Sequence, residues 1–121
     1  MESKYYKDLI VWQKAMDLVV EIYNLSKLLP KTETYALADQ MRRAAVSIPS
    51  NIAEGQQRRT QSEFANFLAI ARGSEAELET QLYICVRLSY LQREQVKSAI
   101  SLCTEIGKML NALIKKQNSD Y

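Results

Sequence analysis

The sequence predicts an all-α protein, an antiparallel up-down-up-down four-helix bundle formed by one domain over residues 1–121. Apolar residues recur at intervals of three and four, and no segment shows the strict alternation of a half-buried strand. The chain has only three glycines and two prolines, too few for a loop-rich or all-β protein. Helices are expected over about residues 7–28, 34–56, 61–91 and 94–116, joined by the short turns of an up-down bundle.

The first predicted helix carries apolar residues over roughly 200° of its circumference, about twice the width that a surface helix needs. One apolar row consists of Tyr5, Leu9, Trp12, Met16, Val19 and Tyr23. The neighbouring row consists of Val11, Ala15, Leu18, Ile22, Leu25 and Leu29. Two interpretations remain open: both rows pack inside the bundle, or one row contacts another subunit. For the second interpretation we expect an oligomer interface formed by Val11, Leu18, Ile22 and Leu25.

The second predicted helix contains Pro49 and approaches its end at Gly55. A proline inside a helix removes one backbone donor and clashes with the carbonyl four residues earlier, here that of Ala45. We therefore expect either a helix kinked at Pro49 or two helices that meet at Ile48. Gly55 is expected to adopt the left-handed conformation of a helix end. A polar stripe on this helix is either a solvated face or a contact with a subunit or a phosphate, and it consists of Arg43, Ser47, Ser50 and Glu54.

The third predicted helix begins with a capping box, in which Thr60 accepts from the amide of Glu63. Its core face is expected to continue as far as Ser89. Gly73, which costs up to about 1 kcal/mol in mid-helix, is expected to permit close approach of another backbone. Glu75 falls on the apolar stripe, and we expect either that its carboxylate extends to the edge of the helix or that it pairs with an arginine or donor amides of the second helix. The fourth helix shows the a/d spacing of a bundle seam, through Val96, Ile100, Cys103, Gly107, Leu110 and Ile114.

Composition excludes most enzyme classes. The chain has no histidine and its two cysteines are isolated, which excludes a Ser-His-Asp triad, a histidine metal site and a C-x-x-C pair. No glycine-rich phosphate loop is present. A carboxylate metal site on Glu75 and Glu79 would lack the histidines of di-iron bundles. We therefore predict no enzymatic activity, no catalytic residues, no metal and no cofactor.

Net charge and hydropathy indicate the class of partner and the cellular location to expect. The net charge of +2 argues against a strongly basic protein that coats nucleic acid. No run approaches the roughly 18 apolar residues of a membrane span, and the first residues do not lead into a signal-peptide pattern. We expect a cytoplasmic protein without a membrane partner. Cys85 and Cys103 are then expected to be reduced thiols packed in the core.

Several motifs resemble those of the four-helix-bundle proteins encoded in intervening sequences of bacterial 23S ribosomal RNA genes. The most specific is Ser47-Ile48-Pro49-Ser50-Asn51-Ile52-Ala53-Glu54-Gly55; the others are Leu9-Ile10-Val11-Trp12, Tyr35-Ala36-Leu37, Gln40-Met41-Arg42-Arg43-Ala44-Ala45, Gly73-Ser74 and Glu77-Leu78-Glu79-Thr80. The accessory protein of diversity-generating retroelements is a relative. The positions taken as structural parts of the motifs are Ser47, Pro49, Asn51, Glu54, Gly55, Gly73, Ser74 and Glu75.

The resemblance implies a funnel-shaped homopentamer and a link to nucleic acid, since the retroelement relative is basic and works with a reverse transcriptase and its RNA. The first hypothesis is therefore an oligomeric accessory protein that binds RNA or DNA, with a nucleic-acid enzyme as a further candidate partner. Its expected contacts, clustered around the turn between the second and third helices, are Arg42, Arg43, Arg58, Arg59 and Arg72. Alternatively, these arginines pair with Glu54, Glu63 and Glu75. The second hypothesis is a protein-interaction scaffold without nucleic-acid binding.

Overall fold

The computed structural model describes residues 5–119, and these residues form helices without any strand. The four α-helices are α1 (Ile10–Ser26), α2 (Leu37–Gln56), α3 (Gln61–Arg87) and α4 (Arg93–Ser119). Two short 3₁₀ turns, Tyr6–Asp8 and Lys31–Glu33, precede α1 and α2. The predicted all-helical bundle class is confirmed.

Each helix packs against two neighbours. Helix α1 contacts α2 and α4, and α3 also contacts α2 and α4, so α1 and α3 lie diagonally across the bundle. The Cys85 thiol of α3 donates to the Met41 sulfur of α2 at 3.6 Å, whereas Phe67 of α3 lies against Gly55 of α2. From Met41 to Gly55 the residue number rises along α2, whereas from Cys85 to Phe67 it falls along α3. The two helices therefore run antiparallel.

The structure shows which of the two apolar rows of α1 faces the core. The row from Val11 to Leu29 is buried in the single chain, with exposures from 0% to 9%. The predicted oligomer interface is therefore wrong for all four of its members, Val11, Leu18, Ile22 and Leu25. The physical reason is that α2 and α4 flank α1 and enclose this row between them. Part of the other row is exposed instead, including Met16 at 43% and Tyr23 at 41%.

Helix α2 continues through Pro49, which is buried inside it. The expectation of two helices meeting at Ile48 is therefore not met. Gly55 is not left-handed either, because no glycine in residues 5–119 has a positive φ. Gly55 instead allows α2 and α3 to pack closely, because a Cβ on Gly55 would lie 2.5 Å from the Cβ of Phe67. The helix closes at Gln57 in right-handed helical geometry, with the Gln57 amide donating to the Ala53 carbonyl.

Helix α3 ends at Arg87, four residues before its predicted end, because Ser89 adopts a left-handed φ of 63°. The Ser89 amide donates to the Val86 carbonyl at 3.0 Å and the Tyr90 amide donates to the Cys85 carbonyl at 2.9 Å. This pair of bonds is a Schellman motif with serine in the position that glycine normally takes. Ser89 is consequently exposed rather than on the core face where the periodicity placed it.

Candidate functional site

The five arginines predicted to contact nucleic acid do not form one cluster. Arg42 and Arg43 lie near the start of α2, whereas Arg58 and Arg59 follow its end. At about 1.5 Å per residue of helix, the two pairs lie more than about 20 Å apart along the bundle. Arg72 lies within α3 and contacts α4. The predicted grouping around the turn between α2 and α3 is therefore correct only for Arg58 and Arg59.

The arginines at the start of α2 have partners within the chain. Arg42 donates to the Ser26 hydroxyl at 3.3 Å and to the Thr34 carbonyl at 3.0 Å. Arg43 donates to the Asp39 carboxylate at 3.0 Å. The Arg42 side chain thereby joins the end of α1 and the following turn to α2, which is a structural role.

The arginines beyond the end of α2 are more available. The Arg58 guanidinium lies 3.5 Å from the Glu54 carboxylate and 4.7 Å from the centre of the Phe67 ring. Arg59 is exposed and has no hydrogen-bond or ion-pair partner among residues 5–119. Glu63 does not pair with an arginine; its carboxylate accepts from the Thr60 hydroxyl at 3.2 Å, and Thr60 accepts from the Glu63 amide. The predicted capping box is present.

The motif residues of α2 and α3 join these two helices. The Ser47 and Ser74 hydroxyls are 2.8 Å apart across the interface. The Asn51 amide nitrogen donates to both the carbonyl and the hydroxyl of Ser47. Gly73 does not take part in this interface. It is exposed, and a Cβ on it would have no neighbouring atom within 4 Å. Its predicted close contact with another backbone does not occur within the single chain.

Glu75 is the one carboxylate buried in the core of the described chain, with 2% of its surface exposed. Its Oε1 accepts from Arg72 at 2.8 Å, and Arg72 also donates to Asn111 of α4 at 3.2 Å. Burial, the largest cause, and the neighbouring Glu79 carboxyl raise the pKa of Glu75, the Arg72 guanidinium opposes them, and the net pKa is about 7. The predicted pairing with an arginine is therefore found, within α3 rather than with α2.

Gly107 of α4 makes room for this pair, a role that the sequence analysis missed. A Cβ on Gly107 would lie 2.5 Å from the Glu75 Oε1. The available signal was a glycine on the predicted seam of α4, at a helical position where any side chain would enter the core. The Glu75–Arg72 pair thus occupies space that only glycine leaves open.

The two cysteines are buried, and burial affects their reactivity. Burial raises the pKa of Cys85 to about 11 and also raises the pKa of Cys103, so both thiols stay protonated at neutral pH. Among residues 5–119, no group of three or more histidine, cysteine, aspartate or glutamate side chains is placed to hold a metal ion. The same part of the chain contains no helix with the length and apolar character needed to cross a membrane.

Two exposed apolar faces lie on opposite sides of the bundle. We call the first the α1 face: the exposed Met16, Val20 and Tyr23, with the half-buried Trp12 beside them. We call the second the α3 face: Ile70, Ile84 and Leu88, at the outer side of α3 and just past its end. Because α1 and α3 lie diagonally across the bundle, one contact surface cannot include both faces of the same copy.

Comparisons with known proteins agree with the predicted resemblance. The sequence profile of the 23S rRNA-intervening sequence protein family matches residues 7–112. A solved structure from Bacteroides thetaiotaomicron, described as a protein of unknown function from the S23 ribosomal protein family, is 34% identical and has a TM-score of 0.82. The alignment covers 88% of this chain and 99% of that one. No curated protein matches significantly. The chain therefore belongs to the family of 23S rRNA-intervening sequence proteins.

Proposed function

We propose that this protein is a non-catalytic scaffold that associates with copies of itself and binds other macromolecules. The observation that carries the proposal is the pair of apolar faces on opposite sides of the bundle. Met16 and Tyr23 on the α1 face and Ile70 and Leu88 on the α3 face each expose between 41% and 52% of their surface. Burying such side chains against a second copy is favourable, since apolar surface removed from water contributes about 25 cal/mol per Å².

The two faces differ in the size of their side chains. The α1 face carries the large side chains of Trp12, Met16 and Tyr23. The outer side of α3 carries a stripe of exposed small residues beside its apolar side chains: Ala69, Gly73, Ala76 and Thr80. Contact between two different surfaces is heterologous, and heterologous contacts build closed rings when the rotation between copies allows it. The homopentamer implied by the family resemblance is one such ring.

A second candidate function, nucleic-acid binding, is favoured by the exposed arginines beyond α2. Arg59 is unpaired in the described chain, and the ion pair between Arg58 and Glu54 is exposed. An exposed ion pair contributes at most about 1 kcal/mol, so a phosphate can replace Glu54 as the partner of Arg58. In a ring, each copy would contribute two arginines, which increases avidity for a long RNA or DNA. A nucleic-acid enzyme is a candidate partner under this function.

Light scattering tests the scaffold proposal. The wild-type protein is expected to be an oligomer at micromolar concentration, and the double variant Met16→Glu/Tyr23→Glu is expected to be a monomer with unchanged helical circular dichroism. Ser98→Glu, at an exposed position of α4, is the matched control and should remain oligomeric. A monomeric wild-type protein, or an oligomer that survives both substitutions in α1, would contradict the proposal.

Binding to structured RNA and DNA at low and moderate salt tests the second function. Phosphate contacts release counterions, so binding should weaken steeply with salt and should weaken further in Arg58→Ala/Arg59→Ala. Lys108→Ala/Lys115→Ala, which removes the same charge from exposed positions of α4, is the control. Nucleic-acid binding is excluded at these arginines if the Arg58/Arg59 variant binds as tightly as the wild type.

A further inference from the structure

An open groove lies between the last turns of α3 and the first turns of α4. Its volume is about 780 Å³. Its accessible apolar lining is formed by the half-buried Val86 and Ile100 beside Tyr83, which is 52% exposed, whereas Val96 at the same place is buried in the core. The groove lies at the opposite end of α3 from Arg58 and Arg59, since those residues precede its first turn. Neither self-association nor the nucleic-acid contact proposed above uses it.

The groove is bordered by cations that form no ion pair within residues 5–119. Arg87, Arg93 and Lys97 line it, together with a single carboxylate, that of Glu94. None of these three cations has a hydrogen bond or an ion pair with another residue of the described range 5–119, whereas most of the other arginines are paired. The positive charge of the border comes from these side chains, because the end of α3 and the start of α4 lie together here and their opposite helix dipoles offset each other. The groove therefore combines an apolar lining with a positive border.

We propose that this groove binds an acidic amphipathic helix of a partner protein. Apolar side chains at helical spacing in the partner would contact Tyr83, Val86 and Ile100, and its aspartates or glutamates would pair with the three cations. The volume lies within the range of about 300–1,000 Å³ of known binding pockets, which suits a few large side chains rather than a whole helix. The charge complementarity excludes a basic helix as the preferred partner.

The lining distinguishes a peptide from single-stranded nucleic acid. Surfaces that bind single strands stack successive bases on several aromatic rings, and this groove offers one ring, that of Tyr83. The half-buried aliphatic side chains of Val86 and Ile100 gain stability only from contact with apolar groups. A peptide with apolar and acidic residues can contact the apolar lining and also pair with the cations of the border. The inference does not depend on self-association and holds for a monomer as well as for a ring.

The test uses a labelled helical peptide of about 16 residues, with leucines at spacings of three and four and glutamates between them. The matched peptide carries lysine in place of every glutamate, and a uridine-rich single-stranded RNA of similar length is the third probe. Binding is followed by fluorescence anisotropy and by amide chemical shifts of the isotope-labelled full chain. The groove variant is Arg93→Glu/Lys97→Glu. Its control is Lys108→Glu/Lys115→Glu, an equal charge change at exposed positions of the same helix.

We expect the acidic peptide to shift the amides of Val86, Val96 and Ile100, and the groove variant to weaken its binding at least about tenfold. The control variant should bind within about twofold of the wild type. The proposal is overturned if the lysine peptide binds as tightly, if only the RNA binds, or if no shift appears at about 1 mM acidic peptide. It is also overturned if the groove variant changes the oligomeric state, because the occupant would then be a second copy.

Discussion

The ionisation of Glu75 is expected to make the folded protein less stable as the pH rises from acid to neutral. In the folded chain its pKa is raised from the ordinary value of 4.5 to about 7, mainly because the carboxyl is buried. Between these two values the folded chain keeps the proton and the unfolded chain releases it. The stabilisation is therefore complete below about pH 4.5 and is lost as the pH rises through about 7. The pKa difference corresponds to about 3 kcal/mol in the free energy of unfolding.

Glu75→Gln isolates this effect. Glutamine keeps an oxygen that accepts from Arg72 and keeps the shape of the side chain, but it cannot carry the charge. We expect the variant to be more stable than the wild type at about pH 8, by about 1–3 kcal/mol, and its stability to change less between about pH 5 and about pH 8. The measurement is urea unfolding followed by circular dichroism across this range.

The matched control is Glu77→Gln, which alters an exposed glutamate two positions further along α3 and should leave the pH dependence of the wild type in place. The reasoning is refuted if wild type and Glu75→Gln show parallel stability curves across the range. In that case Glu75 would be ionised in the folded chain at neutral pH, and the attraction of Arg72 would outweigh the cost of burial.

Three further substitutions test the packing of the bundle by the same urea unfolding. Gly55→Ala should destabilise the fold by about 1–3 kcal/mol, because its Cβ would lie 2.5 Å from the Cβ of Phe67, which has little freedom to move; unchanged stability would show that α2 and α3 separate easily there. Thr60→Ala should cost about 1 kcal/mol through loss of the bond to the Glu63 amide, and a loss below about 0.3 kcal/mol would contradict that cap. Gly73→Ala should stabilise the dissociated chain by about 0.5–1 kcal/mol, since its methyl group meets open space, and should weaken self-association. Tighter self-association in that variant would argue against contact at α3.

The bundle class and several local features follow from sequence patterns because local physics produces them. The capping box at Thr60 needs only residues three positions apart, and the structure contains it. The apolar stripe of α3 correctly placed Glu75 toward the core and predicted that its carboxylate is paired, although the partner is Arg72 of α3 and not a group of α2. The end of α3 was less predictable, because Ser89 takes a left-handed conformation that serine does not signal.

The candidate sites depended more on three-dimensional arrangement. The sequence spacing of Arg42 and Arg58 was compatible with one cluster if Pro49 broke the helix, but α2 continues through the proline and holds them at opposite ends. The groove of the further inference was not predicted, because Arg87 and Lys97 belong to different helices and become neighbours only when α3 and α4 pack. Periodicity assigns a residue to a face of its own helix and carries no information on distances between helices.

The sequence by itself determined that this chain forms four amphipathic helices, that it lacks the residues of the common catalytic sites, and that its motifs are those of the 23S rRNA-intervening sequence protein family. Only the tertiary structure decided which row of α1 is buried, because both rows are apolar and the choice depends on how α2 and α4 pack around α1. It placed Leu18 and Ile22 in the core and left Met16 and Tyr23 on the surface. The exposed faces, and hence the contacts a second molecule can make, are set by that packing.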